Sequence, residues 1–198
     1  IRTNEIEFTD FKKYEITNEI KRHAKDKKIL IALGAQNKGK GIQILSENLS
    51  KFNKKNYTVI VGGRFDELSK THKKYMQDNN ALVFDRFMTD EEILALYSVA
   101  DAIWCYYDPS YDQASGILGR AIQLGVLPIV RPDSFSEKFC RKEHIKYIAP
   151  NFDDELIDLD SIQVCKSSPA SDELPSRLGN LSQYKIKEAL GIMGDSFD

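Results

Sequence analysis

The sequence predicts an α/β fold, a parallel sheet covered by helices on both faces, and three observations carry that reading. Short apolar runs bounded by turn residues recur at 29–33, 57–61, 81–84, 102–106, 127–130 and 147–149. Amphipathic helical stretches separate them, the arrangement that crossover connections between parallel strands require. With 198 residues, 41% hydrophobic and 29% charged, the chain has the size and apolar content of one domain, 1–198, and no sign of extended disorder.

The elements follow in order. Residues 6–8 read as an edge strand, and Lys21-Arg22-His23-Ala24-Lys25-Asp26-Lys27-Lys28 as a basic helix end and turn. The strand at 29–33 leads into a glycine-rich loop and then a helix whose stripe is Ile42, Leu45, Leu49 and Phe52. His72 falls on a further helix. Thr89, followed three residues later by Glu92, is a capping box for a helix striped by Ile93, Leu96, Tyr97 and Ala100. After Pro150 the pattern weakens: 153–159 reads as a short helix, 167–175 as a polar loop and 182–190 as a last helix.

Composition excludes several functions. A formal charge of −2 argues against nucleic acid as a partner, and the lysine cluster at 51–55 reads as solvated turn. Cys105, Cys140 and Cys165 are odd in number and widely spaced, which fits free thiols in a reducing compartment rather than a disulfide framework or a metal site. His23, His72 and His144 are scattered, without zinc or triad spacing. No run approaches the ~20 apolar residues of a membrane helix. The opening residue, Ile1, reads as part of a longer polypeptide.

Two segments carry chemistry. Asp112 to Val130 reads as a polar loop, a short helix, a glycine stop and a buried strand, with a carboxylate and small residues where a helix N-terminus favours anions. Gly34-Ala35-Gln36-Asn37-Lys38-Gly39-Lys40-Gly41 follows a strand and opens a helix, nearly spelling the P-loop. Gly41 stands where that loop needs a magnesium-binding hydroxyl, which counts against an NTPase. The glycines of Val61-Gly62-Gly63 permit close approach of a ligand or simply make a turn; Arg64, next to them, reaches the same cleft or lies on the surface.

These segments resemble the C-terminal, donor-binding domain of GT-B fold glycosyltransferases of the family four, group 1 type, over about 27–160 and most closely over 81–130. The family's Glu-x7-Glu pattern is matched in form, with Asp112 at the first acid and Arg120 at the second. Its loop Gly-Arg-x4-Lys-Gly is matched by Gly34, Lys40 and Gly41, with Ala35 in place of the Arg. Phe84 to Ala102 resembles Phe-x-Gly-x-Val-x3-Glu-Leu-x2-Leu-Tyr-x2-Ala-Asp, Val61-Gly62-Gly63 its Val-Gly-x-Gly turn, and Asp108 to Asp112 its Pro-Ser-x-x-Glu.

The resemblance implies one Rossmann-like half of a GT-B fold, whose N-terminal acceptor-binding domain is missing from this chain. It implies a UDP- or GDP-sugar as partner, retaining transfer in polysaccharide or glycoconjugate synthesis, and no metal or other cofactor. Lys40 would neutralise the departing diphosphate and Asp112 bind hydroxyls of the sugar, the catalytic pair. Gly34, Lys38, Gly41, Gly62, Arg64, Arg86, Phe87, Met88, Ser115, Gly116 and Arg120 would line the donor site, with Arg86, Phe87 and Met88 at the base. A cytoplasmic location follows, with the full-length protein associating peripherally with the inner face of the membrane.

Plainer readings stand beside these: Asp112 as a helix N-cap, Phe87 and Met88 as core, Arg120 as a surface ion pair. A guanidinium at 120 cannot accept hydrogen bonds from ribose hydroxyls as the family acid does. A degenerate, non-catalytic interaction or assembly domain is therefore the alternative. An epimerase of the same fold is a lesser one, and Leu33-Gly34-Ala35 lacks the acids of a phosphoacceptor receiver.

Overall fold

The computed structural model describes residues 15–52 and 56–152. The expectations at 6–8, 153–159, 167–175 and 182–190, and those for Cys165, Lys54 and Lys55, lie outside the described residues.

The chain alternates helix and strand: α1 (Glu15–Ala24), β1 (Lys28–Leu33), α2 (Ile42–Glu47), β2 (Tyr57–Gly62), α3 (Lys70–Asp78), β3 (Leu82–Phe84), α4 (Asp90–Val99), β4 (Ala102–Cys105), α5 (Gly116–Gln123), β5 (Leu127–Val130) and α6 (Phe135–Lys142). The strands form one parallel sheet in the order β3-β2-β1-β4-β5. This is the Rossmann-like α/β architecture the sequence predicts. The run at 147–149 is the exception, since it reduces to a single parallel bridge between Ile129 and Ile148.

Alternation along the strands separates two cores. Ile29, Ile31, Leu33, Ile103 and Cys105 face α1, α4 and α5, where Ile20, Leu96, Tyr97 and Ala121 are buried with them. Leu30, Ala32, Ala102 and Trp104 face the other way, with Ile42 and Leu45 of α2 and Met76 of α3. Because both faces are covered, the strands read as nearly continuous apolar runs. The α2 stripe extends into a 3-10 turn at Leu49–Lys51 that buries Leu49, with Phe52 just beyond it.

Local signals set the helix ends. Ile16, Ile20 and Ala24 bury one face of α1, while Glu15 begins it and Lys21, Arg22 and His23 end it, the charge order the helix dipole favours. Both bonds of the Thr89–Glu92 capping box form at α4.

Strand pairing is uneven. β1 and β2 share six paired positions, from Lys28↔Tyr57 to Leu33↔Gly62. β1 and β4 share two, Leu30↔Ala102 and Ile31↔Ile103. Chain order reverses between those two strands, and in open α/β sheets ligands bind beyond the carboxyl ends at such a switch point.

Candidate functional site

The loop after β1 is held by one buried side chain. Gln36 is 2% exposed, and its Nε2 donates to Gly34 O at 2.8 Å and lies within 3.3 Å of Gly62 O. Its backbone pairs with the β2 exit through Gln36 N–H to Arg64 O and Asp66 N–H to Gln36 O. Asn37 then caps a 3-10 turn at Lys38–Lys40, its side chain accepting the Lys40 N–H at 3.0 Å.

Gly41 closes that turn with φ of 70°, and a Cβ on it would sit 2.0 Å from Tyr106 O. The P-loop hydroxyl is thus sterically forbidden here: the backbone at the end of β4 occupies its place. The other glycines divide. A Cβ on Gly62 would meet Leu33, Leu96 and Met88, so this residue faces the core. Gly63 is the close-approach position, where a Cβ would lie 1.8 Å from Gly34 O.

Lys40 reaches across the switch point to the loop after β4. Its Nζ lies 4.4 Å from the Tyr107 ring centroid and 4.5 Å from that of Tyr111, and the two rings meet edge-on at 89°. Tyr107 is buried, and its hydroxyl lies 2.8 Å from Ser115 Oγ. Ser115, not Asp112, is the N-cap of α5, its Oγ accepting the Leu118 N–H. A Cβ on Gly116, the first residue of α5, would meet no atom within 4 Å. Burial pushes the Tyr107 phenol far above its ordinary value, while the Gln113 side chain and then the Lys40 charge hold the Tyr111 phenol below its own.

Lys38 is exposed, and Asp108 lies in the loop after β4. That carboxylate accepts from both the N–H and the hydroxyl of Ser110, bonds that hold it below the ordinary carboxylate value. Asp112 has other partners: Oδ1 accepts the Phe135 N–H at 2.9 Å, at the start of α6, and Oδ2 lies 3.4 Å from Arg131 Nη2. Arg131, at the end of β5, also donates through Nε to Tyr107 O at 3.0 Å. No sequence signal marked Arg131.

The remaining candidates lie farther from the switch point, toward β2 and β3, or on the outer turn of α5. Arg64 is exposed beyond β2. Arg86 forms a two-pronged pair with Glu92, at 2.6 and 2.8 Å, and so braces the start of α4. Phe87 is 84% exposed; Met88 is 5% exposed, its side chain in the core, which leaves its backbone as the part able to meet a base. Arg120 lies 3.6 Å from Asp90 in a solvent-exposed ion pair with α4.

Among the described residues no group of three or more His, Cys, Asp or Glu converges to hold a metal, and no helix is long and apolar enough to cross a membrane. His72 bonds Ser46 Oγ at 2.7 Å and His23 the Asn80 carbonyl at 3.0 Å, both away from the switch point. Cys105 and Cys140 are free, and burial pushes their thiols up to about 12 and about 11.

The fold is that of a doubly wound α/β domain, similar to one half of the GT-B glycosyltransferase fold. Three solved structures carry the likeness. WaaG, a glycosyltransferase involved in lipopolysaccharide biosynthesis, superposes with a TM-score of 0.52 at 19% identity, over 70% of this chain and 38% of that one. The UDP-forming α,α-trehalose-phosphate synthase from Burkholderia vietnamiensis gives 0.57 at 7% identity, over 93% and 49%. That from Burkholderia xenovorans, in complex with glucose-6-phosphate, gives 0.53 at 8% identity, over 71% and 36%. The chain thus spans less than half the length of each of them. No protein-family model matches the sequence, and no curated protein matches it.

Proposed function

We propose that this chain is the donor-binding half of a glycosyltransferase that takes a nucleoside diphosphate sugar at the β1/β4 switch point. One observation carries the reading: the Lys40 ammonium, from the loop after β1, lies over the ring of Tyr107, whose hydroxyl bonds Ser115 Oγ, the cap of α5 in the loop after β4. An ammonium and first-turn N–H groups at one place suit a diphosphate, and both favour the extra charge that a leaving diphosphate acquires. Asp112, fixed by Arg131 and the Phe135 N–H, presents its carboxylate beside that point for sugar hydroxyls. Retention at the anomeric carbon is part of the proposal and rests on the sequence resemblance.

UDP is the donor nucleotide to test first, because two of the structural neighbours are UDP-forming synthases. A role in glycoconjugate synthesis is supported by the likeness to WaaG. A cytoplasmic site of action at the membrane's inner face, and an acceptor-binding partner domain, belong to the same proposal. Calorimetric titration with UDP, GDP and their sugars tests it: saturable binding that Lys40→Ala weakens is the expected result, and no binding to any of them overturns it.

A second reading, an interaction domain without donor chemistry, draws on Arg120. That position lies in an ion pair with Asp90 and offers no acceptor to a ribose. The same titration decides between them.

A further inference from the structure

Ion pairs engage many of the cations described: Arg86 with Glu92, Arg120 with Asp90, Arg131 with Asp112, Lys73 with Asp85, Lys70 with Glu67 and Arg141 with Glu137. Lys40 is held differently. Among the described residues no carboxylate lies within ion-pair distance of it, and its ammonium sits against two tyrosine rings instead.

The distinction matters for binding anions. A carboxylate fixes an ammonium by cancelling its charge, whereas an aromatic face fixes it through the ring quadrupole and leaves the full positive charge in place. A free lysine would lose much rotamer freedom on capturing a phosphate; a caged one has lost it already.

Both rings come from the loop after β4, across the switch point from the loop that carries the lysine. Tyr107 is 5% exposed and is tied through its hydroxyl to the α5 cap, Ser115. Tyr111 ends the 3-10 turn Pro109–Tyr111, which Asp108 caps. The Asp108 N–H donates to Gly39 O at 3.1 Å, and a Cβ on Gly39 would come within 3.3 Å of Tyr111, so the ring rests on the lysine's own loop.

We propose that Tyr107 and Tyr111 are positioning residues that hold the Lys40 ammonium, uncompensated, at the start of α5 to receive a diphosphate. This rests on the donor-site reading above.

The test uses the full chain, with UDP and GDP as probes, in the parent, Tyr111→Phe and Tyr111→Leu. Lysines are ¹³C-methylated for NMR, and the Lys40 resonance is assigned by its loss in Lys40→Arg. Tyr111 is chosen because it is only partly buried, and circular dichroism checks that each variant is folded. The expected result is an upfield, ring-shifted Lys40 resonance in the parent and Tyr111→Phe, which bind alike. In Tyr111→Leu it moves to the position of an exposed lysine while affinity falls about tenfold.

Parental affinity in Tyr111→Leu, failure of Tyr111→Phe to restore binding, or an unshifted Lys40 resonance in the parent each overturn the cage while the donor-site reading stands. A parent chain that binds neither nucleotide overturns both, even if the resonance is shifted, since the rings then only pack a lysine.

Discussion

Arg131 Nη2 lies 3.4 Å from Asp112 Oδ2, so the end of β5 is tied to the loop that follows β4. The same guanidinium donates to Tyr107 O, which links this pair to the rings around Lys40. Arg131→Ala removes a charge-assisted hydrogen bond to a backbone carbonyl and frees Asp112 on one side. A stability loss of about 1–3 kcal/mol is expected in urea melts. The affinity advantage of a nucleotide sugar over the bare nucleotide should shrink as well, because Asp112 then wanders. Unchanged values of both quantities would remove Arg131 from the site.

Lys40→Ala should weaken nucleoside diphosphate binding far more than Lys38→Ala. Lys40 is fixed against two rings and has no acid partner among the described residues, while Lys38 is exposed. Losing a charge-assisted hydrogen bond of about 1.5–3 kcal/mol corresponds to roughly ten- to hundredfold in affinity. Calorimetry showing small, equal losses for the two variants would contradict the assignment.

Gly41→Ala should be severely destabilising, by about 2–4 kcal/mol, since the left-handed backbone and the clash with Tyr106 O act together. Gly116→Ala, at a position with open space around Cβ, should leave the melting midpoint within a few degrees of the parent. Comparable destabilisation in the two variants would show that the β1 loop does not pack against β4 as described.

Acid should loosen the fold through carboxylates with depressed values, of which three are bonded to a basic side chain. The Lys73 bond holds Asp85 below the ordinary 3.8, the Arg86 bond holds Glu92 below 4.5, and the Arg141 bond holds Glu137 below 4.5. A depressed folded-state value means that the stabilisation is complete above those ordinary values and is lost as pH falls through them and then through the lower folded ones. Urea midpoints should therefore drop as pH falls below about 5 and do so less in Glu137→Gln, which has already lost its share. Identical acid slopes in parent and variant would refute the assignment of Glu137.

Much of the fold was legible because its signals are local. The strand expected at 127–130 is β5 to the residue, and Thr89 with Glu92 announced the start of α4. α6 escaped notice because it has only eight residues, rich in Ser, Glu, Lys and Arg, and two of its three buried positions, Ser136 and Glu137, are polar. The run at 147–149 had strand composition, yet it reaches the sheet at one bridge only.

The site was legible at its backbone and not at its side-chain pairings. Lys40 and the start of α5 were marked by position in the chain. Arg131 was not, because its bond to Asp112 exists only once β4 and β5 lie side by side. Residue type alone also left open whether Gly62 admits a ligand or only makes a turn, and whether Arg120 lines a pocket or makes a surface ion pair. In the fold Gly62 sits against Leu33, Leu96 and Met88, and Arg120 lies beside Asp90.

The short pairing of β1 with β4 gives the sheet a seam. Beyond Ile31 and Ile103 the two strands no longer pair, and the loops carrying Lys40 and the α5 cap leave from opposite sides of that opening. A diphosphate held by both would act as a fastener across the seam, joining β3-β2-β1 to β4-β5 where the backbone ladder stops. Binding and the cohesion of the sheet would then be one event, with amides near the ends of β1 and β4 exchanging more slowly when the ligand is bound.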